Sequence, residues 1–186
     1  MMDSLPTFET HNTKNYTLLQ LTAENYQAFL KVASNQEIMN LIGLSEDQMA
    51  NERKKGEFGF RTHNKSYLVF LIVDPKTAKT IGFCGFHVWY LEHNRAEIGY
   101  GLYCDQYKGK GVMSEVIASV MAYGFNEMGL ERIEAFIGPE NQASLNLVEK
   151  FNFQREGHLR KHYFTNDELE DSVVYSLLKT EYAVAP

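Results

Sequence analysis

Gly109 and Gly111, one residue apart in the stretch D-Q-Y-K-G-K-G, stand immediately before a long apolar periodicity. Glycines in such a turn let successive backbone N–H groups face one point, and the start of a helix adds the positive end of its dipole. That point suits an anion, a phosphate above all. Lys108 and Lys110 flank the glycines and either neutralise the anion or are exposed turn residues. Just upstream, in E-I-G-Y-G-L-Y-C, alternation puts Glu97, Gly99, Gly101 and Tyr103 on one face and Ile98, Tyr100 and Leu102 on the other. Two glycines on one face weaken a strand unless a ligand or another backbone comes close, or an aromatic packs over them. Farther on, Asn141 has the character of a helix N-cap, with Ser144 in the first turn behind it.

The elements that must hold these residues are legible in the periodicities. Val112, Met113, Val116, Ile117, Val120, Met121, Gly124, Phe125 and Met128 repeat at helical spacing, and Gly129 follows as a C-cap. Tyr16–Leu21 reads as a first strand. Thr22 and Asn25 open a helix carrying Tyr26, Phe29, Leu30 and Val32, and Ser45 with Gln48 forms a capping box for a second helix that runs toward Lys55, before Gly56. Tyr67–Val73 and Thr80–Tyr90 make a hairpin around Asp74-Pro75, and Ala96–Cys104 is the central strand. Glu131–Ile137 alternates with Ile133, Ala135 and Ile137 on one face. Asn141 starts a helix to about Lys150, and Phe153–Tyr163 and Ser172–Leu178 are strands joined by T-N-D-E-L-E. The first fifteen residues are either a short added strand or a frayed arm. The order is strand, two helices, three strands, helix, strand, helix, two strands, which is α+β with mixed strand directions.

The segment Glu97–Met128 resembles motif A of the GNAT (Gcn5-related N-acetyltransferase) superfamily, whose pyrophosphate loop reads Gln/Arg-x-x-Gly-x-Gly/Ala; Gln106, Gly109 and Gly111 match it in full. From Tyr16 to about Glu181 the chain is similar to the RimJ/RimL-type ribosomal-protein N-terminal acetyltransferases, with A-E-I-G-Y, P-E-N-Q-A-S and F-N-F-Q-R-E-G where that subgroup has theirs. The resemblance implies one GNAT acyl-CoA N-acyltransferase domain over 1–186. Its sheet would have about seven mostly antiparallel strands, splayed at the centre, with about four flanking helices. It implies acetyl-CoA as co-substrate, with its diphosphate on Gln106, Tyr107, Lys108, Gly109, Lys110, Gly111, Val112 and Met113 and its pantetheine arm along Leu102, Tyr103 and Cys104. A backbone N–H near Leu102 or Tyr103, freed by the splay, would serve the oxyanion.

By the same resemblance, Asn141 contacts the CoA arm and Ser144 protonates or hydrogen-bonds the leaving sulfur, the alternative being that both merely cap a helix. Asn146 is a further CoA contact. Glu97 leads as general base, against the alternative of a surface carboxylate at a strand start. The subgroup often has an acid just after L-R-K, where this chain has His162 and then Tyr163. His162 is either a substitute base or structural, and Tyr163 either lines the acceptor pocket or packs in the core. The acceptor implied is the α-amino group of a protein such as a ribosomal protein. A small amine (polyamine or aminoglycoside) and a CoA-binding module without turnover are the alternatives.

Length and composition bound these readings. A chain of 186 residues with 44% hydrophobic content suits one core. The net charge of −6 disfavours a nucleic-acid binder and favours a cationic partner. Asp167, Glu168, Glu170 and Asp171 form an acidic cluster, either a solvated turn or an attractant for a basic peptide or polyamine. Cys84 and Cys104 read as reduced core residues, and the histidines show no zinc spacing, so no metal is expected. No basic, apolar leader or membrane-length run is present in the sequence; the expectation is a cytoplasmic monomer or homodimer with no membrane partner.

Overall fold

The computed structural model describes residues 5–165 and 167–182. Within the stretch read as strand or arm, Thr10–Asn12 is a strand, β1, paired antiparallel to β2 (Thr17–Thr22). Thr22 turns the chain into α1 (Ala23–Val32) through a capping box: its hydroxyl accepts the Asn25 N–H, and the Asn25 side chain accepts the Thr22 N–H at 2.8 Å. A helix that the sequence reading missed follows, α2 (Asn35–Ile42), capped by Ser34 and Glu37 and ended by Gly43 at φ 72°. The Ser45 amide donates to Gln48 Oε1 at 3.1 Å, opening a 3-10 turn that leads into α3 (Met49–Phe58). That helix runs through Gly56, where a Cβ would come within 2.9 Å of the Leu30 side chain; the glycine lets α3 close on α1 instead of ending the helix.

The hairpin forms as expected from β3 (Lys65–Asp74) and β4 (Lys79–Tyr90), and β4 pairs antiparallel to the central strand β5 (Arg95–Leu102). β5 ends two residues short of the expected Cys104, which is exposed, whereas Cys84 is buried as expected. α4 (Val112–Asn126) stops two residues before Met128. β6 (Arg132–Ile137), α5 (Gln142–Lys150), β7 (Gln154–Thr165), β8 (Glu168–Leu178) and the one-turn α6 (Lys179–Tyr182) complete the chain. The β7–β8 strands extend into T-N-D-E-L-E, so Glu168, Glu170 and Asp171 are strand residues; Asn166 lies outside the described residues. Among the described residues, eight strands thus stand where about seven were expected, in the order β1-β2-β3-β4-β5-β6-β8-β7, and α2 and α6 add to the four expected helices.

Strand alternation divides the core. Leu68, Phe70, Ile72, Phe86 and Ile98 face α4, and Leu21 and Leu71 face α1 and α2. Val116, Ile117, Val120, Met121 and Phe125 of α4 are at most 2% exposed, and burial of side chains of this size is worth about 1.5–3 kcal/mol each. α4 is therefore a rigid support for the loop before it.

One joint of this sheet is open. β5 and β6 run parallel and pair only through Arg95↔Arg132, Ala96↔Ile133 and Glu97↔Glu134. Arg95 Nη1 and Arg132 Nε both bond the buried Glu134 carboxylate, at 2.6 and 2.8 Å, and pin that end. Past Glu97 the strands part, since β6 stays paired to β8 as far as Ile137↔Val173 while β5 follows β4 as far as Leu102↔Gly82. This gap is the central splay the resemblance implies.

Candidate active site

Gly109 and Gly111 have φ of +70° and +78°, the left-handed region that favours glycine, and nothing lies within 4 Å of where a Cβ would stand on either. Gly111 is the N-cap of α4, and no side chain caps the helix. The first intrahelical bond is donated by Glu115 to the Gly111 carbonyl, so the amides of Val112, Met113 and Ser114 have no intrahelical acceptor. The Glu115 carboxylate, which would oppose an anion here, is turned away to accept the Thr13 hydroxyl at 2.6 Å and the Asn15 amide at 2.7 Å. The loop and helix start open onto a groove of about 690 Å³ that runs beside Gly101 and Leu102 on one side and Asn141, Ser144 and Asn146 of α5 on the other.

The free edge of β5 borders this groove. The Tyr103 N–H donates to the Ile81 carbonyl at 2.9 Å, toward β4, and alternation then turns the amides of Tyr100 and Leu102 to the open side. Tyr103 therefore cannot supply the oxyanion donor, and Leu102 remains for it. The Tyr100 hydroxyl is buried with no hydrogen-bond partner among the described residues. Burial pushes this phenol up, and the nearby Ser144 hydroxyl opposes the shift in part while lying outside hydrogen-bond geometry. An open anion site at a helix start, a strand edge with unpaired amides and an orphaned hydroxyl at the far end of the groove together fit an extended ligand with a diphosphate, an amide-bearing arm and a polar tip. Acetyl-CoA has those three parts.

Tyr100, Asn141 and Ser144 also line a second cavity of about 310 Å³ that passes through the gap between β5 and β6. On its far side stands Glu97, whose side chain is 13% exposed. One Glu97 oxygen, Oε1, receives His87 Nε2 at 3.1 Å and the Tyr163 hydroxyl at 3.0 Å. Burial works to raise the Glu97 carboxyl, but the His87 hydrogen bond and charge, with smaller contributions from Tyr163 and His162, outweigh it and hold the group below the usual carboxylate range. Glu97 is thus ionised at neutral pH.

The glycine face is filled by the protein itself. A Cβ on Gly99 would meet the His87 ring at 2.6 Å, and one on Gly101 the Phe83 ring at 3.2 Å. The glycines make room for two side chains of β4, so close approach on that face does not mark a ligand, which corrects the ligand alternative. His87 is the residue the sequence reading missed. It stands within an apolar strand, and its meeting with Glu97 depends on a bulge between Phe86 and Val88 that no local pattern announces.

Of the residues proposed for the coenzyme, Leu102, Tyr107, Lys108, Gly109, Gly111, Val112, Met113, Asn141, Ser144 and Asn146 line the groove. Tyr103, Cys104, Gln106 and Lys110 are not among its lining residues; the Tyr103 ring lies on the opposite face of the sheet, against Phe83 and Gly43. Lys108 Nζ pairs with Asp105 at 2.6 Å, and Asn146 Oδ1 accepts the Gln142 side-chain amide at 2.6 Å. Asn141 caps α5, accepting the Ser144 N–H at 3.1 Å. Tyr163 is 41% exposed and reaches Glu97, so it is no core aromatic. His162 bonds the Ser172 hydroxyl at 3.1 Å and packs on Phe136 and Tyr163, two lining residues of the Glu97 cavity, without lining it itself. Among the described residues no helix is long and apolar enough to cross a membrane.

A sequence profile for the acetyltransferase (GNAT) domain matches residues 15–154. An uncharacterised N-acetyltransferase of Bacillus licheniformis, p20, is 34% identical over 94% of this chain and 99% of its own. The spermidine N(1)-acetyltransferase of Escherichia coli is 26% identical over 48% of each chain. The crystal structure of a GNAT-family acetyltransferase from Bacillus anthracis superposes with a TM-score of 0.64 at 26% identity, covering 93% of this chain and all of that one. With the splayed sheet, the glycine loop on α4 and the full-length likeness to p20, the chain belongs to the GNAT family of acetyl-CoA-dependent N-acetyltransferases.

Proposed function

We propose that this enzyme moves the acetyl group of acetyl-CoA to a primary amine by direct attack, and that the acceptor is the N-terminal α-amino group of a protein, such as a ribosomal protein, in the cytoplasm. The observation that carries the reading is the continuity of the two cavities through the β5–β6 gap, with Ser144 and Tyr100 on the shared wall and Glu97 beyond it. Acetyl-CoA supplies an activated thioester. The α4 start and its glycine loop take the diphosphate, and the open β5 edge takes the pantetheine arm as an added strand would.

An α-amino group with a pKa of about 8 is partly neutral at pH 7, so most of the demand on the site is positional. Glu97 takes the proton that the nitrogen sheds as the N–C bond forms, directly or through water, while His87 and Tyr163 fix the carboxylate. Ser144 hydrogen-bonds the sulfur or relays a proton to it as the C–S bond breaks. The Leu102 amide points to where negative charge builds on the carbonyl oxygen. The match of Asn141 and Ser144 to the N-x-x-S pattern of the RimL-type subgroup supports a protein acceptor. A second reading, a small polyamine, is favoured by the likeness to the spermidine N(1)-acetyltransferase over half the chain and by the net charge of −6.

Release of the CoA thiol, measured against peptides with different first residues and a set of polyamines, tests the reading. It predicts saturable turnover with one class. Release that never exceeds hydrolysis, with acetyl-CoA still bound, would leave a binding module in place of an enzyme.

A further inference from the structure

A third cavity, of about 170 Å³, lies on the α1–α3 side of the sheet and shares His87 with the Glu97 cavity. Tyr26, Tyr67, Phe83 and Tyr103 form part of its wall, and aliphatic side chains such as Leu21, Leu44 and Leu71 form the rest. The Tyr26 and Tyr67 rings lie 6.3 Å apart and within 17° of parallel, and both pack against Phe60, at 4.9 and 5.2 Å. Phe83 and Tyr103 form a second pair at 6.3 Å, with the Tyr103 ring seated where a Cβ on Gly43 would clash at 2.7 Å. Set among these rings is one carboxylate, Glu52, 7% exposed. Its Oε1 accepts the Tyr26 hydroxyl at 2.6 Å and its Oε2 meets Lys55 at 2.9 Å. Lys55 is itself 63% exposed, so its ammonium can return to solvent when another cation takes its place.

Aromatic faces beside a shielded carboxylate are the recognition chemistry of an ammonium group, because the ring quadrupoles and the anion act on the same charge where little water screens it. His87 lines both cavities, so the box adjoins the cavity in which an amine would meet Glu97. Resting on the acetyltransferase reading above, we infer that the box binds a second cationic group of the acceptor, a few bonds from the nitrogen that is acetylated, and that Glu52 is its specificity determinant. The group is an alkylammonium, carried either by a free diamine or by a lysine side chain at the head of a peptide. Lys55 is the resident competitor that such a cation displaces.

The test compares each α,ω-diamine from three to eight carbons with the n-alkylamine of the same chain length, and a lysine-initiated tripeptide with its norleucine analogue. KM is expected to be about tenfold or more lower for the charged member of the pair that fits. If the diamine arm shows the gap the source is a free amine, and if the peptide arm shows it the source is a peptide. E52Q, which keeps an oxygen for the Tyr26 hydroxyl, brings the two KM values of that pair together. K55M, which removes the competitor from an exposed position, shifts KM for the charged member downward. Calorimetry of the same diamines and tripeptides without acetyl-CoA reads the box separately from turnover. If binding favours the charged member and depends on Glu52 while no amine is acetylated, the box stands and the transfer reading falls. If amines are acetylated with KM indifferent to the second charge, or E52Q leaves the gap intact, the box proposal is overturned and the transfer reading survives.

Discussion

Changing Tyr100 to Phe removes one oxygen and leaves the ring that packs against the α4-side core. That oxygen is buried and has no partner among the described residues, and leaving a polar group in that state costs about 1–3 kcal/mol. The lower end of that range puts the expected gain from Y100F at about 1 kcal/mol. In a chain of this size that corresponds to a melting temperature about 2–4 °C higher for the variant without ligand. The same oxygen stands on the wall shared by the groove and the Glu97 cavity, so the bound donor loses a hydrogen bond in the variant. One such bond, worth about 1–1.4 kcal/mol, lowers kcat/KM for acetyl-CoA about five- to tenfold. The two effects have opposite signs, which a general disturbance of packing would not produce. Thermal melting without acetyl-CoA and steady-state kinetics with it read them independently. A Y100F protein that melts lower, or that keeps its kcat/KM, refutes the reasoning, since the hydroxyl would then be satisfied by the protein or idle toward the ligand.

E97Q is expected to lower kcat about a hundredfold while the protein still folds, the ordinary contribution of a positioned base. Because Glu97 is held below the usual carboxylate range, its titration should be missing from a wild-type pH–rate profile between pH 5 and 9, and the rise with pH should follow the acceptor amine. G111V should melt lower, since φ of +78° costs a β-branched residue about 1–2 kcal/mol, and G111N should lose less because asparagine tolerates that conformation; equal melting of the two would contradict the strain argument. Glu156, bonded to Arg132 and to the Ser176 hydroxyl, titrates at about 2 in place of 4.5. A depressed carboxyl stabilises fully above its unfolded value and loses that contribution as pH falls, so wild type and E156Q should differ in denaturant midpoint above pH 4.5 and converge toward pH 2.

What the sequence made legible and what it hid follow the range of the forces involved. The parity of β5, the α4 periodicity and the conformations of Gly109 and Gly111 are local properties, and each can be read from a dozen residues. α2 was missed although Ser34 and Glu37 spell a capping box and Gly43 ends it; eight residues with Ile38 and Ile42 as the buried pair give too short a period to stand out. The His87–Glu97 contact, the filling of the glycine face by His87 and Phe83, and the meeting of Glu52 with Tyr26 are matters of register and helix packing. They join residues ten to twenty-six positions apart through geometry that only the assembled sheet defines. Alternation alone sets the Tyr103 ring on the face opposite Leu102, whereas the pairing of its amide with Ile81, which closes that amide to the coenzyme, depends on the neighbouring strand.

Amide hydrogen exchange of the wild-type protein with and without acetyl-CoA tests the central claim most directly, because it reads the open strand edge and the helix start one segment at a time. The account predicts new protection at Tyr100–Leu102 and at Gly109–Ser114, with β7 and β8 unchanged. Acetyl-CoA that binds while those amides exchange as before would contradict it.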